Sequence, residues 1–246
     1  MVHVITPVYK DVDAFDICLS SVMSQTGSEY TWHVIYDEAV NTPSDMTMFE
    51  DSVVFDNPDV HFYKNGTRKG ALASFIRGAT SDTVKPDDIL VTLDGDDWFI
   101  RPDALSRIEE EYKDPMCWLT YGSWVSNAKG YPALLPAYKE YGFRGKPWLY
   151  THPRTCKRWL FDLVKDEDLR DKNGDYFLYP SDIAVCLPMI EMAGLTHSRH
   201  IPEALMMYNR TSKYAMPDPV GRKANLDYIL AKPPYKPLPK RPIDND

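Results

Sequence analysis

The 246-residue chain lacks several features that would assign a protein to a class at once. Its four cysteines, Cys18, Cys117, Cys156 and Cys186, are far apart and form no CxxC pair, so the sequence supports neither a zinc site nor a redox site. It has no run of about 18 apolar residues, and no signal-peptide pattern precedes the first strand-like segment. These absences predict a cytoplasmic protein with free thiols and no membrane span.

An excess of positive charge is also missing. The chain has 28 lysine and arginine residues against 36 aspartate and glutamate residues, which gives a net charge of −8. Proteins that bind nucleic acid without sequence preference carry a basic surface instead, so this class is not expected, although a local basic groove is compatible with the composition. Hydrophobic residues make up 43% of the chain, which is enough for a sizeable core.

Strand and helix patterns alternate along the first half of the chain. β-branched and apolar runs predict strands, and apolar side chains at helical spacing predict helices between them. Such alternation is typical of an α/β fold with a mostly parallel sheet and helices on both faces. The predicted strands are 3–8, 31–37, 60–65 and 88–94, and the predicted helices are 14–25 and 71–80.

The second half of the chain is less regular. Residues 126–153 are rich in glycine, proline and aromatic side chains and predict a long loop region. Pro188 is expected to kink or shorten the helix in which it lies, and Gly194 is expected to end that helix. The remaining predicted elements are helices 102–113 and 181–194, a strand 117–125, a cation-containing loop 209–223 and a proline-rich tail 231–246.

Carboxylates follow two of the predicted strands. Asp37 ends the second strand, and the fourth strand leads into Asp94, Asp96 and Asp97, with Gly95 between them. Ligands of an open parallel sheet bind beyond the carboxyl ends of its strands, and carboxylates are suitable ligands for Mg²⁺ or Mn²⁺. The alternative is a surface turn, for which Asp and Gly are also favoured. The apolar run before the acids and the aromatic pair after them favour the site.

Several motifs, in this order, resemble those of family 2 glycosyltransferases with the GT-A fold. The resemblance covers residues 2–210, and no single motif in it is specific. The motifs are "VITPVYK", "CLSSVMSQT", "VIYDEA", "GALASFIRG", "TLDGDDWF", "SDIAVCLPMIEMAG" and "IPEALMMYNR". The resemblance implies a Rossmann-like nucleotide-sugar half over 1–97, an acceptor-binding and catalytic half over 98–215, and a C-terminal extension over 216–246.

The resemblance also implies roles for individual residues. Asp182 falls at the position of the family's general base, which takes the proton of the acceptor hydroxyl during a single displacement with inversion. A first-turn acid at the start of a helix also explains Asp182, and the two roles are compatible because a base at a helix start is well positioned. A bound Mn²⁺ or Mg²⁺ would neutralise the diphosphate leaving group. The implied nucleotide-sugar residues are Pro7, Tyr9, Asp37, Lys69, Asp94 and Asp96, the metal ligands Asp96 and Asp97, and the acceptor-side residues His152 and Arg154.

The sequence departs from the family pattern at several positions. Phe75 and Ile76 replace an arginine and an asparagine, and both look like core residues. Arg68, Lys69 or Arg77 could supply the missing cation, although a solvated charge pair explains Arg68 and Lys69 equally well. These departures indicate a divergent branch, for which a phage or viral origin is one expectation. The cations within 209–223 could close over the diphosphate.

The implied function is metal-dependent transfer of a sugar, most simply from a UDP-sugar, to an acceptor hydroxyl. The acceptor could be a glycan, a lipid, a protein or a hydroxymethylated DNA base. One alternative is a nucleotidyltransferase of related fold, but the glycine- and arginine-rich loop of that class is missing after the first strand. The other is a carbohydrate- or nucleotide-binding module without activity, and the four retained aspartates, Asp94, Asp96, Asp97 and Asp182, argue against it.

Overall fold

A nine-stranded sheet forms the centre of the molecule. The computed structural model describes residues 1–10, 12–37, 56–128, 132–140, 142–211 and 219–242. The strands are β1 (Val2–Val8), β2 (Tyr30–Tyr36), β3 (Val60–Lys64), β4 (Ile89–Thr92), β5 (Trp98–Phe99), β6 (Leu119–Ser126), β7 (Pro132–Ala133), β8 (Arg154–Lys157) and β9 (Ser198–Tyr208). Their order is β3-β2-β1-β4-β8-β6-β9-β5, and β7 pairs with β6.

Most strands of this sheet run in one direction. Strand β1 is parallel to β2 and β4, β2 is parallel to β3, and β6 is parallel to β9. Strand β8 lies antiparallel between β4 and β6 and so links the two parallel groups. The predicted mostly parallel α/β fold is therefore confirmed. As a result, the carboxyl ends of β1, β2 and β4 meet at one edge.

Helices cover both faces of the sheet, and the α-helices and strands pack into two apolar clusters. Successive strand residues point to opposite faces. Thus Val4 and Val34 join the cluster that includes side chains of the first helix, whereas Ile5 and Ile35 join the other cluster. The helices are α1 (Val12–Met23), α2 (Ala71–Ala79), α3 (Ala104–Glu111), α4 (Arg158–Asp162), α5 (Ser181–Ala193) and α6 (Pro219–Ala231), and a 3₁₀ turn covers Asp166–Leu169.

Helix α5 is the most deeply buried helix of the described chain. All its residues from Ile183 to Ala193 are buried, so its packing outweighs the hydrogen bond that Pro188 cannot donate. The helix continues through Pro188 to Ala193 and ends at Gly194. The predicted end at Gly194 is confirmed, and Pro188 does not shorten the helix.

The C-terminal region differs from its prediction. Residues 219–223 were expected in a loop, but they form the first turns of α6; residues 212–218 lie outside the described chain. The tail that follows packs on the domain, because the Leu238 backbone N–H donates to the Met192 carbonyl and Arg241 pairs with Asp87. Strands from both sides of residue 97 belong to the same sheet, and the division of the chain at residues 97 and 215 stays a prediction. None of the described helices is long and apolar enough to span a membrane.

Candidate functional site

A cavity of about 310 Å³ opens at the edge where β1, β2 and β4 end. Eight of the ten predicted site residues line it, although they come from five separate segments of the chain. The antiparallel strand β8 and the start of α5 form the wall opposite β1. The eight residues are Pro7, Tyr9, Asp37, Asp94, Asp96, His152, Arg154 and Asp182.

The turn after β4 holds its carboxylates close to the end of β1. The Gly95 backbone N–H donates to the Pro7 carbonyl at 3.0 Å. A Cβ atom on residue 95 would lie 2.9 Å from that carbonyl oxygen, closer than van der Waals contact allows. Glycine is therefore required here by the approach of two backbones, and it brings Asp94 and Asp96 beside Pro7.

Asp97 lies behind the cavity lining and faces His152, which lines the cavity. Asp97 accepts a hydrogen bond from the Asn209 backbone N–H on Oδ1, but its Oδ2 atom is buried and has no hydrogen-bond partner among the described residues. The Nδ1 atom of His152 is also buried, has no hydrogen-bond partner in the same ranges, and lies 4.0 Å from that oxygen. Asp94, Asp97 and His152 can each direct one ligand atom into a group whose atoms all lie within 4.8 Å of one another. Two facing unsatisfied atoms and a nearby carboxylate fit a divalent cation.

The electrostatics of these groups suit a cation as well. Burial, together with the charges of Asp94 and Asp96, raises the pKa of Asp97 well above its ordinary value. Burial and the nearby charge of Arg154 lower the pKa of His152 well below 6.5, so its ring stays neutral, as a metal ligand must. The sequence predicted Asp96 and Asp97 as ligands, whereas the structure groups Asp97 with Asp94 and His152. Asp96 lines the cavity above them.

Arg154 lies between two of the cavity's carboxylates. Its guanidinium donates to Asp182 Oδ2 at 3.1 Å and to Asp94 Oδ2 at 3.4 Å. Burial alone would lower the pKa of Arg154, but the charges of Asp182 and Asp94 outweigh burial and raise it. Arg154, predicted on the acceptor side, thus bonds to two carboxylates, and His152, also predicted there, lies 4.0 Å from Asp97 Oδ2.

Asp37 is a buried acceptor for the loop that follows β3. Its Oδ1 atom accepts from the Lys69 backbone N–H and from the Asn65 side chain, and its Oδ2 atom accepts from the Gly70 backbone N–H at 2.7 Å. Lys69 therefore contributes its backbone, while its side chain is exposed and does not line the cavity. Arg77 bonds to the Lys64 carbonyl and the Asn65 side chain, which assigns it a structural role.

Two arginines supply positive charge to the cavity in addition to Arg154. Arg68 lies 4.2 Å from the centre of the Tyr9 ring and donates to the Tyr179 hydroxyl at 2.9 Å. Arg222, in the second turn of α6, also lines the cavity, and no carboxylate pairs with it in the part of the chain that the structure describes. Arg222 belongs to the cation-containing segment 209–223 that the sequence analysis placed over the diphosphate, although that segment was expected to be a loop and not the start of a helix.

Tyr208 is another lining residue that the sequence motifs did not identify. Its ring stacks on His152 with the ring centres 5.3 Å apart, at the end of β9. The motif "IPEALMMYNR" contains this tyrosine, but strand periodicity alone does not show that β9 ends beside the cavity.

Solved structures of low sequence identity share this fold. One is S. aureus TarS 1-349 in complex with UDP, which has 15% sequence identity and a TM-score of 0.60, with 85% of this chain and 60% of that chain covered. Another is S. aureus TarS 1-349 in complex with UDP-GlcNAc, which has 15% sequence identity and a TM-score of 0.60, with 94% of this chain and 70% of that chain covered. The mannosyltransferase PcManGT from Pyrobaculum calidifontis, in complex with GDP-Man and Mn²⁺, is similar too. It has 17% sequence identity and a TM-score of 0.61, with 87% of this chain and 58% of that chain covered. The present chain spans 60% of the first TarS chain. No curated protein matches it.

The comparisons agree with the architecture and with the order of the motifs. The likeness to TarS and PcManGT confirms the predicted GT-A fold. Residues 3–169, well over half of the chain, match the family model for glycosyl transferase family 2. This span includes β1, the carboxylates after β4, and β8 with Arg154. The protein therefore belongs to glycosyl transferase family 2.

Proposed function

We propose that the protein transfers a sugar from a nucleoside-diphosphate sugar to an acceptor hydroxyl, with inversion at the anomeric carbon. The observation that carries this proposal is the pair of unsatisfied atoms on Asp97 and His152, in a cavity that also contains Asp94, Arg154 and Asp182. A cation site beside a carboxylate that faces the cavity is what such a transfer requires.

The environment of Asp37 supports a uridine nucleotide as the donor. A carboxylate offers about four lone pairs, and three donors already occupy Asp37. Among the residues that the structure describes, no donor takes the second position on Oδ2, and we assign this position to a ligand. Uracil presents a single N–H on its base-pairing edge, whereas guanine presents two neighbouring donor groups. A UDP-sugar therefore matches this position on Asp37, and the Tyr9 ring would contact the base or ribose.

The diphosphate would lie near the cationic groups of the cavity. Asp94, Asp97 and His152 would hold Mn²⁺ or Mg²⁺, with Asp96 at the cavity side of the same turn. A bound divalent ion supplies Lewis-acid neutralisation of the departing diphosphate. Arg68 and Arg222 would add charge-assisted hydrogen bonds to phosphate oxygens.

Asp182 is the proposed general base. It lies in the first turn of α5, lines the cavity, and has a side chain that is 30% exposed, so an acceptor hydroxyl can reach it. From this position it would take the hydroxyl proton as the oxygen attacks the anomeric carbon. One base and one leaving-group site suffice for a single displacement with inversion.

The acceptor is a hydroxyl of a glycan, a lipid, a protein or a hydroxymethylated DNA base, and His152 and Arg154 are still candidates for contacting it. We place the reaction in the cytoplasm. All four cysteines are free and buried, as expected in a reducing compartment.

The proposal is tested by measuring binding of UDP, GDP, CDP and TDP with and without Mn²⁺ by titration calorimetry. We expect UDP to bind best, and to bind more tightly with Mn²⁺. Asp97→Asn should remove the Mn²⁺-dependent gain. Asp182→Asn should bind UDP as the wild type does but fail to transfer sugar from a UDP-sugar. Absence of binding by all four nucleotides would contradict the proposed function.

A further inference from the structure

One contact in the cavity goes beyond the roles proposed so far. The two terminal nitrogens of the Arg154 guanidinium bond to different carboxylates, one to Asp94 and the other to Asp182. Asp94 belongs to the candidate cation site, and Asp182 is the proposed base. A single buried side chain therefore separates a metal ligand from the group that must accept a proton.

We propose that Arg154 is a positioning residue that keeps the Asp182 carboxylate out of the cation site. The inference rests on the proposed function. An aspartate beside a divalent ion is a favourable oxygen ligand, and a carboxylate bound to the ion is a poorer base. By occupying the space between Asp94 and Asp182, Arg154 leaves Asp182 directed at the acceptor.

The fold holds Arg154 firmly in this position. Strand β8 pairs Arg154 with Thr92, two residues before Asp94, so the guanidinium lies at the level of the carboxylates that follow β4. The Arg154 side chain is only 9% exposed. By contrast, the Asp94 and Asp182 side chains are 33% and 30% exposed. Arg154 is thus the fixed member of the trio, and its partners keep one side open to ligands.

The chemistry of arginine fits this task better than that of lysine. A guanidinium is a planar fork whose separate N–H groups can bond to two carboxylates at once, whereas an ammonium is a compact point charge. Arginine also keeps its charge under all physiological conditions. Arg154→Lys should therefore retain the charge while losing the double contact, which separates the two contributions.

The experiment is a double-mutant cycle read out by Mn²⁺ binding in the absence of nucleotide. The four proteins are the wild type, Arg154→Met, Asp182→Asn and the double variant. Loss of a positive charge alone strengthens Mn²⁺ binding in both backgrounds. If Asp182 also enters the cation site, Arg154→Met should strengthen binding by about tenfold more in the wild-type background than in the Asp182→Asn background.

A second readout separates positioning from folding. Arg154→Met should lower the kcat for sugar transfer while leaving the KM for the donor close to the wild-type value, and Arg154→Lys should restore part of kcat. Thermal melting reports whether each variant folds. If Arg154→Met does not fold, Arg154→Lys replaces it in the double-mutant cycle. Arg170→Met is the matched control, since it removes an ion pair with Asp166 outside the cavity lining.

The possible failures are distinguishable. An equal gain in Mn²⁺ affinity in both backgrounds would mean that Arg154 acts only through its charge, and would overturn this inference alone. Unchanged or weaker Mn²⁺ binding by Arg154→Met would also overturn it. A wild-type protein that binds neither Mn²⁺ nor UDP would overturn the proposed function, and this inference with it.

Discussion

Individual residues of the same charge have different tasks in this cavity because their neighbours differ. Asp37 is held by three N–H donors and fixes a loop, whereas Asp182 contacts one guanidinium and faces open space. Likewise, Arg154 is neutralised by two carboxylates, but Arg222 has no ion-pair partner within the described ranges. The charge that is free to bind a ligand therefore depends on the contacts around it and is not evident from the sequence.

Arg222 provides a direct test of this argument. We expect Arg222→Ala to weaken UDP binding by about tenfold, because a charge-assisted hydrogen bond to a phosphate is lost. Uridine, which has no phosphate, should bind equally well to both proteins. Lys223→Ala is the matched control, since Lys223 is exposed and pairs with Asp227 on the same helix. An equal loss of affinity for uridine and UDP would contradict a phosphate contact.

A second prediction concerns the buried histidines at the amino end of the sheet. Burial, with the neighbouring His3 and His61, lowers the pKa of His33 from 6.5 to about 3. Because the pKa of His33 is lower in the folded than in the unfolded state, protonation favours the unfolded state. The fold is therefore not weakened by His33 above pH 6.5, and it loses unfolding free energy as the pH falls below 6.5. Between about pH 7 and about pH 5, the wild type should lose about 2 kcal/mol more unfolding free energy than His33→Gln. Urea unfolding at both pH values measures this, and parallel losses would refute it.

At the residue scale, the positions of the carboxylates follow from the sequence more directly than those of His152 and Arg154. Asp94 and Asp96 follow β4, and the parallel pairing of β4 with β1 brings them to the edge where Asp37 also lies. His152 and Arg154 come to the same edge only because β8 inserts antiparallel between β4 and β6. That insertion depends on long-range pairing, for which the local sequence has no signal. The partnership of His152 with Asp97 could not be predicted for the same reason.

At the scale of secondary-structure elements, the site depends on close contact between the ends of β1 and β4. The two strands are parallel neighbours, and hydrogen bonds continue past β4 through Leu93 and Gly95 to the Ile5 and Pro7 carbonyls. This extension fixes the distance between the nucleotide wall at Pro7 and the acidic turn. Backbone hydrogen bonds, and not side-chain contacts, thus set the distance between these two walls of the cavity.

Replacement of Gly95 should disturb both walls together. The new methyl group of Gly95→Ala would meet the Pro7 carbonyl and the Val8 backbone, neither of which can rotate away. We expect a loss of about 1–3 kcal/mol of unfolding free energy and weaker UDP binding. Gly66→Ala is the matched control because nothing lies within 4 Å of its added Cβ. Equal stability of the two variants in urea unfolding would show that β1 and β4 separate easily.

The helices show where local sequence suffices for prediction and where it does not. Helices α1, α2, α3 and α5 were predicted within about two residues, because their apolar side chains follow a helical pattern or a continuous apolar run. Helix α6 was missed. Only Ile229 is buried among its described residues, and Gly221 lowers its intrinsic helix propensity. Such a helix is stabilised mainly by tertiary contacts.

At the scale of the whole molecule, one arginine joins the C-terminal segment to the core. Arg144 forms a bidentate ion pair with Glu191 of α5, whose side chain is 6% exposed, and donates to carbonyls at the end of α6. Glu191 also accepts from the Tyr235 backbone N–H. In the middle of α6, the Asn225 side chain donates to the carbonyl of Tyr179, which lies three residues before Asp182. Helix α6 is therefore fixed to both ends of α5.

This arrangement predicts that a change far from the cavity should affect ligand binding. Arg144→Ala leaves Glu191 buried without its cation and should cost about 3 kcal/mol of unfolding free energy. It should also increase hydrogen exchange across 219–242 and weaken UDP binding in the same direction as Arg222→Ala, because α6 carries Arg222. Lys146→Ala removes an exposed ion pair with Glu140 and should change stability by less than about 0.5 kcal/mol. If Arg144→Ala lowers stability but leaves UDP affinity unchanged, α6 supports the fold without shaping the donor site. In that case a less firmly held α6 would still keep Arg222 in its position at the cavity.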